Sequence, residues 1–165
     1  MFDLKPLTPE AIPAALEKAM RYRLLNEPAE AESICLDVLA IEPENQKALV
    51  TLLLAMSDRF GHGYPVSNTR VREVLGRLRE EYDRYYYTGI LAERNGKCHL
   101  QQGSPGCGFA AYELLREAME AYEHAEKVRP PGNDDALLRW NACARLIMGN
   151  HLEPRAIERY EPALE

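Results

Sequence analysis

One spacing occurs twice in this chain and constrains its fold more than any other feature. Ala31, Cys35, Val38 and Pro43 follow one another at steps of four, three and five residues, and Ala118, Tyr122, Ala125 and Pro130 repeat those steps. Steps of four and three put the first three residues of each set on one helical face, about a turn apart. The proline, which has no amide hydrogen to donate, closes the helix. A polar turn follows each proline, Glu44-Asn45-Gln46 in the first copy and Gly132-Asn133-Asp134 in the second, and another apolar stretch comes next, over 48–56 and 136–147. Helix, proline-bearing turn, helix is one unit of a helical array.

The pattern extends upstream, where Tyr22 lies nine residues before Ala31 and Asn26, which tolerates a left-handed turn, sits between them. Taken together these residues resemble the tetratricopeptide repeat family, whose helix-turn-helix unit is about 34 residues long. The match is best over 13–58 and 110–148. Pro43 and Pro130 stand 87 residues apart, more than two such periods of about 34, so a third unit with inserted sequence is expected between them. Gly89 and Gly96, seven apart, match the family's first-helix and inter-helix glycines, with Tyr85 at the bulky position before them.

The resemblance implies an all-α fold, an α/α superhelix of about three helical hairpins closed by a C-terminal capping helix. The units fall at 8–43, 44–80 and 81–131, the second and third irregular, with an insertion around 97–113. The capping helix covers 132–149 and a tail 150–165. No proline or glycine interrupts the run from Arg77 to Thr88, so the helices around 68–95 have no marked boundary and are open to fusing into one. Helices are expected from Pro9, capped by Thr8, to Leu24, then over 29–41, 48–58, 68–78, 82–93, 109–128 and 134–148. Arg155 to Tyr160 is read as one further short turn, and Phe60 to Asn68 as a loop.

Composition narrows the function classes. A 165-residue chain with 46% hydrophobic and 28% charged residues is one domain's length, with enough apolar content for a continuous core. Its net charge of −6 opposes nucleic-acid binding, which draws on a basic stripe that this chain lacks. The start, Met1-Phe2-Asp3-Leu4-Lys5-Pro6, has no basic region followed by an apolar run, and no stretch is long and apolar enough to suggest membrane insertion. Four cysteines do not make a disulfide framework here, and Cys35 and Cys143 fall on expected core faces. A cytoplasmic protein fits these features.

The resemblance implies a protein that binds a protein or peptide segment along the concave surface lined by the first helices, without catalysis, as an adaptor, co-chaperone or assembly factor. The inward positions give Leu16, Met20, Arg23 and Leu24, then Lys47, Val50, Thr51 and Leu54, then Tyr86, Tyr87, Ile90 and Arg94. Those expected to form the peptide groove are Met20, Arg23, Lys47, Thr51, Leu54, Tyr86, Tyr87, Ile90 and Arg94. Tyrosine and arginine dominate binding hot spots, and Arg23, Lys47 and Arg94 suit carboxylates, so a segment with some acidic character is expected. Family members that grip the C-terminal carboxylate of chaperones use two asparagines at positions that Glu17 and Thr51 occupy here, so that specificity is not expected. An uncovered face carrying Trp140 and Ile147 on the last helix would allow a homodimer.

The alternative function lies in Cys98, His99 and Cys107, read as a glycine-rich loop that binds metal or responds to redox state. Thiolate and imidazole are zinc ligands, but a structural site needs four, and His62 would have to supply the fourth. Cys107 just precedes a helix, where amide dipoles favour a thiolate. The run Gly103-Ser104-Pro105-Gly106-Cys107-Gly108 lacks the Lys-Ser/Thr and the preceding strand of a phosphate-cradling loop. No nucleophile and base pair is evident, and no cofactor is implied.

Overall fold

The computed structural model describes residues 2–61 and 68–155, and all regular structure among them is helical. After a 3-10 turn at Pro9–Ala11 come α1 (Ile12–Leu24), α2 (Pro28–Ile41), α3 (Gln46–Asp58), α4 (Asn68–Gly76), α5 (Glu81–Gln102), α6 (Cys107–Lys127) and α7 (Asp135–Gly149). Residues 156–160 of the short turn expected at Arg155 to Tyr160, and most of the 60–68 loop, His62 included, lie outside the described residues.

The local chemistry accounts for the helix ends. Asn26 adopts φ 60° and turns the chain between α1 and α2, where Pro28 occupies the first turn of α2. Asn45 caps α3 by accepting from the Ala48 amide at 2.9 Å. Thr8 makes no side-chain cap, and its carbonyl instead accepts from the Ala11 amide at 3.0 Å. The three residues before the proline in each repeated set, Ala31, Cys35 and Val38, and Ala118, Tyr122 and Ala125, are fully buried.

The helices around 68–95, open to fusion from the sequence, stay separate near the expected boundary: α4 stops at Gly76 and α5 starts at Glu81. Long-range bonds hold this break. Gln46, at the start of α3, accepts from the Arg79 amide at 2.9 Å and donates to the Arg77 carbonyl at 3.4 Å. Arg84 donates to the Leu78 and Arg79 carbonyls, and Leu78 is buried in the core. A linker bonded this way need not carry a local breaker residue.

One expectation is corrected: the insertion around 97–113, read as a glycine-rich loop through Gly108, is helical over most of its length. Helix α5 continues through Lys97, Cys98, His99 and Leu100 to Gln102, and α6 begins at Cys107. The surplus sequence lengthens both helices of one hairpin to 22 and 21 residues. An apolar seam continues along this extension, where Leu100 packs on the core and Ala111 and Leu115 are fully buried. Gly96, expected between helices, lies inside α5, where a Cβ would sit 3.2 Å from Leu115 Cγ. Gly103, at φ 62°, ends the helix.

Consecutive helices pack against each other, and α1, α3 and α5 also lie side by side in a row. The core has two blocks. One joins α1 to α4 around Leu49, Leu52 and Leu53, and the other joins α5 to α7 around Leu115, Tyr122 and Cys143. The Tyr87 side chain packs against both blocks and so ties them together.

Candidate functional site

The row α1, α3, α5 is stitched by one carboxylate. Asp58, the last residue of α3, accepts from Arg23 of α1 at 2.7 Å and from Arg94 of α5 at 2.6 Å. Arg94 also donates to the Leu54 carbonyl at 3.0 Å and to the Ser57 hydroxyl at 2.5 Å. Burial lowers the Arg94 pKa, Asp58 opposes that shift, and the Arg23 and Arg139 charges add to it. A guanidinium does not give up its proton in a protein, so the crowding persists as positive potential.

A second carboxylate carries the row on to α7. Glu93 is 0% exposed. It accepts from the Tyr122 hydroxyl of α6 at 2.7 Å, from Arg139 of α7 at 3.3 Å, and from Lys97 one turn along its own helix. A buried charge persists only when paired and hydrogen-bonded, and these three donors meet that need. Burial, followed by the Glu93 charge, raises the Tyr122 pKa, which keeps its hydroxyl a donor.

Beside these cations lies a tyrosine ridge. Tyr82 and Tyr86 stack at 5.6 Å between ring centres, and Tyr86 meets the Tyr87 ring edge-on at 5.2 Å. All three are partly exposed. Burial raises the Tyr86 pKa while the adjacent Arg139 offsets it, and burial, with Asp83 adding, pushes Tyr87 up to about 12. Tyr85 points to the other side and stacks on His124 of α6 at 5.2 Å.

The expected groove residues therefore divide. Met20, Arg23, Leu54, Tyr86, Tyr87 and Arg94 are partly exposed and Lys47 is exposed. Thr51 and Ile90 are buried in the helix interfaces, and the Thr51 hydroxyl is spent on the Lys47 carbonyl at 2.7 Å. Leu16 is also buried, whereas Leu24 projects into solvent. Asp58, Lys97 and Arg139, which complete the charge cluster, were not among the expected residues. Arg94, Lys97 and Gln101 stand at i, i+3 and i+7, one face of a helix, and that face becomes visible only once α5 is known to run past Gly96.

The cysteines also divide. Cys35 and Cys143 are fully buried, and burial pushes both thiols up to about 12, so neither ionises near neutrality. Cys98 lies on α5, not in a loop, and accepts from the Gln102 amide at 3.5 Å; Cys107 begins α6, with its sulfur 2.9 Å from the Ser104 hydroxyl. Nδ1 of His99 is buried without a partner. Among the described residues no three His, Cys, Asp or Glu side chains are grouped to hold a metal ion.

On α7, Trp140 and Ile147 are half-buried rather than fully exposed. Both pack on the second core block, and the Trp140 ring nitrogen donates to Glu123 at 2.9 Å. The apolar residues that do project are Leu138 and Met148, 61% and 65% exposed. No helix among the described residues is long and apolar enough to cross a membrane. No protein-family model matches the chain, and no curated protein or solved structure shows significant similarity to it.

Proposed function

We propose that the chain is a non-catalytic protein-binding module of tetratricopeptide type. In this reading α1/α2, α3/α4 and α5/α6 are three hairpins capped by α7, and the face of α1, α3, α5 and α7 is a concave groove that takes an extended peptide or protein segment. An adaptor, co-chaperone or assembly factor of the cytoplasm is the role this implies. The observation that carries it is the alignment of α1, α3 and α5 side by side, with partly exposed Met20, Arg23, Leu54, Tyr86, Tyr87 and Arg94 presented together. Partly exposed tyrosines beside arginines offer large contact area, polar handles and little rotamer entropy to lose.

Panning a random dodecapeptide library on the immobilised full chain tests this. The expected result is an enriched sequence family whose affinity falls about tenfold or more on Tyr86→Ala, as for a hot-spot tyrosine. Lys47→Glu, at an exposed position with no core contact to lose, should weaken the same peptides. An empty selection contradicts the reading, and so do peptides indifferent to both substitutions.

A further inference from the structure

The charge cluster does not balance. In direct ion pairs Arg23, Arg94, Lys97 and Arg139 share two carboxylates, Asp58 and Glu93, so cations outnumber their paired carboxylates by two in a chain whose net charge is −6; the Asp135 charge, also felt at Tyr86, offsets part of that excess beside Arg139. Three of the four cations converge. Ser57 and Asp58 at the end of α3, Arg94, Lys97 and Gln101 along α5, and Arg139 of α7 line an open cavity of about 340 Å³. The Lys97 and Arg139 side chains are 39% and 34% exposed, so both reach solvent while pairing with the buried Glu93. Both carboxylates are already engaged by cations on more than one side, which leaves the outward lobes of Lys97, Arg94 and Arg139 to recruit a further anion.

We infer that this cavity is an anion subsite that receives an internal Asp or Glu side chain of the segment bound along the α1, α3, α5 and α7 face. The inference rests on the peptide-binding reading above and names its specificity. Charge complementarity selects the carboxylate, and Tyr86, whose hydroxyl is hydrogen-bonded to Arg139, is a partly exposed aromatic neighbour of the site for the adjoining peptide residue. Lys97 and Arg139 thereby do the work expected of Arg23, which is locked to Asp58 by two bonds at 2.7 and 3.3 Å.

The test uses peptides enriched from the dodecapeptide library, labelled and titrated against the full chain by fluorescence polarisation. Each acidic position is changed to its amide, the peptide C-terminus is amidated in a separate arm, and Lys97→Met protein is compared with wild type. The expected pattern is one acidic position whose neutralisation weakens binding to wild type about tenfold, with little further loss in Lys97→Met, and with no effect of C-terminal amidation. Binding should also weaken as sodium chloride rises from 50 to 500 mM. Enriched peptides without an acidic position overturn the subsite and leave the groove standing, as does a loss confined to C-terminal amidation or an equal loss in both proteins. A selection that enriches nothing overturns the groove and the subsite together. If Lys97→Met does not fold, the acid-to-amide series and the salt series on wild type decide alone, and affinity unchanged in both rejects the subsite.

Discussion

Glu93→Ala lowers the stability of this chain by about 3–5 kcal/mol, the usual loss when one partner of a buried ion pair is removed. Glu93 is fully buried and is the common acceptor for Tyr122, Lys97 and Arg139, so its loss affects α5, α6 and α7 at once. The substitution leaves a buried hydroxyl without an acceptor and two cations without a counter-charge, and it opens a void where the side chain stood. Glu93→Gln keeps the shape and an acceptor for Tyr122 but not the charge, so it should lose about half as much. Urea denaturation of the two variants beside wild type measures this. A Glu93→Ala protein within about 0.5 kcal/mol of wild type would show that the network adds no net stability.

The second large effect reverses a common rule. Replacing a helix-interior glycine by alanine normally gains about 1 kcal/mol, yet Gly89→Ala should lose about 2 kcal/mol or more because the new methyl overpacks the core. A Cβ on Gly89 would sit 2.7 Å from Tyr122 Cδ1 and 2.8 Å from Cζ. The ring has nowhere to go, since it is fully buried and its hydroxyl is held by Glu93. Relieving the clash therefore strains the same network that Glu93→Ala breaks, and the two substitutions in one chain should lose less than their separate losses combined. Gly76→Ala is the matched control, because nothing lies within 4 Å of a Cβ there. Thermal unfolding should place Gly89→Ala roughly 4–8 °C below wild type, and Gly76→Ala at or slightly above it. A Gly89→Ala protein as stable as the control would contradict the close approach of α5 and α6.

These two residues also mark what a single sequence reveals. The twin ladders ending at Pro43 and Pro130 were legible because three apolar residues at helical spacing and a terminal proline act locally, and all six apolar members are fully buried. The break between α4 and α5 was expected near its place from the repeat pattern but had no local marker, because it is held by Gln46 from a helix more than 30 residues earlier. Gly96 misled for a related reason. Glycine reads as a helix breaker, whereas here it lets the Leu115 side chain and the Ala111 carbonyl come close to α5. Ending that helix at Glu93, before Gly96, removed Lys97 from the face that carries Arg94, and Arg139 belongs to a helix that the repeat resemblance gives only as a cap. Arg23, Leu54 and Arg94 were expected on one side of the array and are brought together by hydrogen bonds, but Asp58, which pairs with both arginines, carried no pattern of its own.

The central claim, that the face of α1, α3, α5 and α7 is the binding surface, is tested most directly by amide hydrogen exchange of the full chain with and without a saturating selected peptide. The account predicts added protection in α1, α3, α5 and α7, strongest around Arg94 and Lys97, with α2, α4 and α6 unchanged. Protection confined to α2, α4 and α6 would place the partner on the opposite side and contradict it.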